Sequence, residues 1–217
     1  VLNNPFSILI IVACILIIIY YPKIRGYMGE YWVKQELKKL PEQDYLILND
    51  IMIENEKGTH QIDHIIISKY GIFVIETKNY KGWIFGQENS EEWKQSLVGK
   101  KTFWGWSSEQ HKFMNPIRQN ATHVRAIKSI LKDIGDFPII PIVVFSNNAD
   151  LKISVPNHIV INRCNLNSVI KSYKTQYISI ETVQIISSKI VSSNITLEGS
   201  RDNHIQNIQS FQQKKAT

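Results

Sequence analysis

Two apolar runs of strand length, Ile65-Ile66-Ile67 and Ile72-Phe73-Val74-Ile75, stand one short turn apart, and each borders on charge. The first is preceded by Asp63 and the second is followed at once by Glu76-Thr77-Lys78. Lys69-Tyr70-Gly71 supplies the turn, so residues 61–68 (QIDHIIIS) and 72–79 (IFVIETKN) read as two strands of an antiparallel hairpin. Phe73 to Ile75 is apolar on both faces, which places the hairpin in the middle of a sheet covered on both sides. If Ile67 stands opposite Ile72, then Asp63 stands opposite Glu76, with Cβ atoms about 5 Å apart. Lys78, two residues past Glu76, shares that face. Two carboxylates so close repel each other and call for a positive charge, either the Lys78 ammonium or a divalent cation. The pattern alone also allows a plain Glu76–Lys78 strand ion pair beside a solvated Asp63, which would stabilise little.

Residues 30–40 read as a helix stopped by Pro41, with Gly26 to Gly29 as a short linker before it. Val33, Leu37 and Leu40 form its apolar stripe, and Glu30 falls on the same stripe. Residues 45–53 form a strand, with a bend expected at Asn49-Asp50, and residues 83–87 are expected to extend the sheet. Asn115-Pro116 opens a helix that runs to Gly135, with Asn115 as N-cap. Residues 138–145 (PIIPIVVF) have the look of a buried parallel strand. A strand at 158–162 and helices at 166–173 and 181–191 follow. The expected organisation is an anchor and basic flank over 1–25, a core over 26–150, β/α elements packing on it over 151–199, and a polar, Gln-rich, disordered tail over 200–217. The fold class is α/β, an αβββαβ core with a mixed central sheet.

Residues 5–21 (PFSILIIVACILIIIYY) carry no charged side chain and are long enough to span a thin bilayer as one helix. Lys23 and Arg25 follow directly, so the positive-inside rule predicts a single-pass membrane protein with its C-terminal domain in the cytoplasm. The net charge of +6 favours polyanionic partners. The two cysteines, Cys14 and Cys164, make no metal-binding pair, which argues against zinc. No Ser-His-Asp or Cys-His arrangement and no Gly-rich phosphate cradle is present.

An Asp, then Glu-x-Lys on the next strand, with a Glu on a preceding helix, resembles the PD-(D/E)xK nuclease superfamily, with its restriction-endonuclease-like fold. The finer resemblance is to the nuclease-related domain family. It rests on Gly29-Glu30, Gln61-Ile62-Asp63-His64, residues 70–78 (YGIFVIETK), Gly82-Trp83-Ile84, Trp93, and Asn115-Pro116-x-x-Gln119. The resemblance implies a metal-dependent nuclease that hydrolyses phosphodiester bonds in DNA. Asp63 and Glu76 would hold Mg²⁺ or Mn²⁺, with the Thr77 carbonyl as a further ligand. Lys78 would orient the attacking water and stabilise charge on the phosphorane, Glu30 would assist the metal, and Gln119 would orient water or a ligand. The alternative is a non-catalytic nucleic-acid or protein binding module that keeps the fold.

Alternation along the strand predicts that His60 and His64 face away from Asp63. Lys100, Lys101, Phe103, Trp104, Trp106 and Lys112 make a basic, aromatic stretch; packing over the sheet is the expected role, with base stacking as the alternative.

Overall fold

A computed structural model describes residues 5–55, 58–97, 101–102, 105–106 and 109–195. Helix α1 (Pro5–Leu37) leads into β1 (Tyr45–Asn55), β2 (Gly58–Ser68) and β3 (Gly71–Lys78). Then come β4 (Gly82–Gln87), β5 (Glu92–Leu97), the two-residue strands β6 (Lys101–Thr102) and β7 (Gly105–Trp106), and β8 (Glu109–Met114). Helix α2 (Pro116–Leu131) and β9 (Ile139–Phe145) follow, then β10 (Ala149–Ser154), β11 (Ile159–Asn162), α3 (Leu166–Ser172) and α4 (Ile180–Ser192).

The central sheet has the order β1-β2-β3-β9-β11. Its first three strands form the antiparallel meander, and β9 and β11 join parallel to β3. The sheet is therefore mixed, as expected, and α2 is the crossover helix between β3 and β9. Both faces are covered, which is why Ile72 to Ile75 of β3 are all apolar. Leu48, Ile65, Ile72 and Val74 pack under Ala126, Ile127 and Leu131 of α2 and Ile186 and Ile190 of α4. Ile66, Phe73, Ile75 and Val144 pack under Val33 and Leu37 of α1 and Ile170 of α3. Gly71 makes the β2–β3 turn at φ 141°, in the region only glycine adopts freely, and a Cβ there would stand 2.7 Å from Ile140.

Residues 83–87 do not extend the central sheet. They form β4 of a second sheet, order β10-β4-β5-β8, whose strands β4, β5 and β8 are inserted between β3 and α2 and whose β10 follows β9. The insertion is held by Trp93, which is fully buried and stacks on Phe145 of β9 with ring centroids 6.1 Å apart. Gly86 makes room for it, since a Cβ there would lie 2.3 Å from the indole. Among the basic, aromatic stretch, Lys101 pairs with Trp106 in the β6–β7 ladder, whereas Lys100, Phe103 and Trp104 lie outside the described residues. The tail expected over 200–217 also lies outside them.

The linker expected at Gly26 to Gly29 is helical: α1 runs unbroken to Leu37. A tertiary contact fixes where this part of the helix lies. The Asn79 side-chain amide donates to the Arg25 carbonyl at 2.7 Å, and a Cβ on Gly29 would stand 2.5 Å from that of Asn79. Gly29 is thus what lets α1 lie against the end of β3. Among the described residues no helix is long and apolar enough to cross a membrane, so the spanning anchor expected over residues 5–21 is not supported. The apolar segment is instead the first half of a helix whose second half, with Glu30 and Lys34, docks on the domain. Leu9, Ile10, Leu16, Ile17, Ile18 and Tyr21 are exposed on that first half.

Candidate functional site

Glu30, Asp63, Glu76, Lys78 and Gln119 all line one cleft of about 510 Å³. It opens off the C-terminal end of β3, where side chains from both faces of the sheet can meet. Glu30 arrives from α1 on one face and Gln119 from α2 on the other. Thr77 also lines the cleft, with Arg25, Asn79, Tyr80 and His111.

The β2–β3 register is the expected one, with Ile67 opposite Ile72, but the ladder stops at His64–Ile75. One residue earlier, the Asp63 carboxylate takes the place of a ladder partner and accepts the Thr77 N–H at 2.7 Å. The neighbouring strand is irregular at the same level. Asp50 has a φ of 53°, and it drops out of the β1–β2 ladder between Asn49–His64 and Ile51–Ile62. The alternation reverses there: Ile65 and Ile62, three residues apart, both point into the core beneath α2 and α4. His60 therefore lies on the α2 side, its ring 6.2 Å from that of His123, contrary to the expectation that it faces away. His64 does face the other way, its Nδ1 2.7 Å from the Asn49 side-chain oxygen. Burial, with Lys34 nearby, lowers its pKa to about 3, so it is neutral.

Glu76 is 2 % exposed and both of its oxygens are engaged. Oε1 meets the Lys78 Nζ at 2.7 Å and Oε2 meets His123 Nε2 at 3.1 Å. Lys78 Nζ also donates to Gln119 Oε1 at 3.0 Å. Lys78 is thus held between β3 and α2, with one N–H left over. Gln119 and His123 are four apart and lie on the same face of α2. That spacing was the sequence signal for His123, which motif reasoning passed over. The helix itself is fixed by two buried asparagines. Asn115 caps it, accepting the Ile117 N–H at 2.9 Å and donating to the carbonyls of Glu88 at 3.0 Å and Ser90 at 2.8 Å. Asn120 donates to the carbonyls of Val74 and Ile142, tying α2 to β3 and β9.

The carboxylates crowd one another. Burial raises the Asp63 pKa to about 8, and Glu76 and Glu30 add to the rise, against the Thr77 N–H and Lys78. Glu30 is raised as well, by burial and then by Asp50 and Glu76.

The family model of the nuclease-related domain matches residues 25–146, more than half the chain and every residue named above as a site candidate. The chain belongs to the nuclease-related domain family. That family lies within the PD-(D/E)xK-like nuclease superfamily. An uncharacterized protein of Bacillus anthracis is 34% identical over 191 residues, covering 86% of this chain and 84% of that protein. No solved structure matches.

Among the described residues, no three His, Cys, Asp or Glu side chains are grouped as metal ligands. A Mg²⁺ site does not need three, because this ion keeps several waters and takes one or two carboxylates. Asp63 and Glu76 supply hard oxygen donors of that kind. With its pKa raised, Asp63 must release a proton to act as a ligand, so a cation there would be held more tightly as pH rises. Thr77 adds a buried Oγ1 with no hydrogen-bond partner at the same place. The donor set fits the metal that the family implies.

Proposed function

We propose that this nuclease-related domain is a metal-dependent phosphodiesterase that hydrolyses DNA. The observation that supports it is the meeting of Glu30, Asp63, Glu76, Lys78 and Gln119 around one cleft, from four separate elements. Asp63, Glu76 and the Thr77 carbonyl would hold Mg²⁺ or Mn²⁺. When bound, such an ion polarises a phosphate and lowers the pKa of its water. The remaining work falls to the chain's own groups. Lys78, fixed by Glu76 and Gln119, has a spare N–H to offer the charge that develops on phosphorus-bound oxygens. Gln119 accepts from Lys78 through Oε1, so its amide N–H groups remain to orient a water or a phosphate oxygen. Glu30, with its raised pKa, can hold a proton or a water beside the carboxylate pair.

The deciding experiment incubates the full chain with labelled DNA and Mg²⁺ or Mn²⁺, with Glu76→Ala alongside. Cleavage by the parent and not by the variant is expected. Equal cleavage by both would remove the catalytic assignment. The engagement of both Glu76 oxygens favours the other reading, a binding module that keeps the fold. That reading expects DNA retention, no cleavage with either metal, and a melting temperature lowered by every substitution at Glu76.

The exposed apolar side chains between Leu9 and Tyr21 support attachment to a membrane, with Lys23 at its cytoplasmic surface.

A further inference from the structure

A polyanion entering this cleft meets three carboxylates, those of Glu30, Asp63 and Glu76. The cations that line the cleft are few. Lys78 is committed to Glu76 and Gln119, and His111 sits 2.9 Å from Glu109. Arg25 is different. Among the described residues its guanidinium has no carboxylate partner, and it lies over the Tyr80 ring, 5.0 Å from the centroid. Tyr80 is seated on Phe113, with centroids 4.4 Å apart, and Phe113 packs beside Phe145 of the central sheet. The ring under the guanidinium is therefore packed against the central sheet through Phe113. The contact with the ring occupies no acceptor oxygen, so N–H donors of the guanidinium are left for a phosphate. The backbone at Arg25 is held as well, since its carbonyl accepts from Asn79 at 2.7 Å.

We infer that Arg25 is the phosphate-binding residue of the cleft. It grips a phosphodiester of the DNA backbone next to the one cleaved, and its charge offsets the repulsion of the three carboxylates. The contact is to the backbone, so it is indifferent to base sequence. The inference rests on the nuclease reading and names how that site recognises its substrate. Arg25 lies at the edge of the family match and in none of the motif segments, so its role follows from the stack on Tyr80 alone.

The test measures binding of a fluorescein-labelled single-stranded oligodeoxynucleotide to the full chain by anisotropy, in EDTA, over a series of salt concentrations. Arg25→Gln should weaken binding about tenfold and reduce the slope of log affinity against log salt by about one. Arg25→Lys keeps the charge but not the stacked fork, so it should keep the slope and lose part of the affinity. Tyr80→Leu should lose affinity with the slope retained. Lys39→Gln, which removes a charge just past the C-terminal end of α1, should change neither. Melting curves show that each variant folds, and Arg25→Lys carries the comparison if Arg25→Gln does not. Parent and Arg25→Gln binding alike, with equal slopes, would overturn the assignment and leave the nuclease reading intact. A parent chain that neither binds nor cleaves DNA would end both.

Discussion

At the residue scale the site is a problem in charge placement. Three acidic side chains share a cleft with one lysine that is already bonded on two sides. Glu76→Gln keeps the shape and removes a charge, so cleavage should fall by about 100-fold or more while metal-free DNA binding holds or tightens. Lys78→Ala should lose a similar factor, and single-turnover kinetics should place that loss in the chemical step rather than in binding. The pH dependence follows from Asp63. Its carboxyl has a pKa of about 8 in the fold, against about 4 in the unfolded chain, so between those values the native state holds a proton that the unfolded state has released. Stability of the metal-free chain should therefore decline as pH rises from about 4 to 8 and level off above. Asp63→Asn should flatten that decline and raise the melting temperature at pH 8 by roughly 5 °C. A parent chain whose melting temperature rises across this window would contradict the buried, crowded carboxyl.

At the scale of elements, three placements build the cleft. Helix α1 must lie against the end of β3 to bring Glu30 in, and Gly29 permits it. Gly29→Ala puts a methyl group 2.5 Å from the Asn79 Cβ. It should cost about 1–3 kcal/mol, as overpacking does, and should lower cleavage by more than its loss of stability explains. Helix α2 must present Gln119 and His123, and Asn115 sets its start. Asn115→Ala removes the cap and leaves the carbonyls of Glu88 and Ser90 without their donor. A loss of about 3 kcal/mol is expected in thermal or denaturant unfolding. Strand β2 must part from β3 at Asp63, and the break in the ladder at Asp50 and Asp63 does this.

At the scale of the whole molecule, the helix that carries Glu30 and the apolar helix are one. The exposed apolar half of α1 runs directly into Arg25 and Glu30, which line the cleft. A chain shortened to begin at Lys23 should move from the membrane fraction to the supernatant on cell fractionation and keep its DNA cleavage. Identical partitioning of the full and shortened chains would separate α1 from any membrane. The second sheet lines the cleft on one side with Gln95 of β5 and His111 of β8.

Much of this was legible from the chain, for local reasons. Apolar runs bounded by Gly71 and Gly135 specify strands and helix ends through backbone sterics and burial, and a period of two fixes which positions oppose each other. The order αβββαβ, the Ile67–Ile72 register and the Asn115 cap follow from such short-range rules. Other features depended on partners distant in sequence. Gly26 and Gly29 read as a linker, yet they lie within α1, which packs at Gly29 against Asn79, fifty residues on. Strand β4 read as part of the central sheet, yet the burial of Trp93 on Phe145 commits it to another. His60 read as facing away, yet the positive φ at Asp50, on the strand beside it, reverses the alternation. His123 and Arg25 carry no motif, and only packing brings one to Glu76 and the other onto Tyr80. Sequence determined which segments are strand and helix and which residues are charged within them. Tertiary structure decided which of those charges meet, because a contact between elements depends on shapes that no single segment contains.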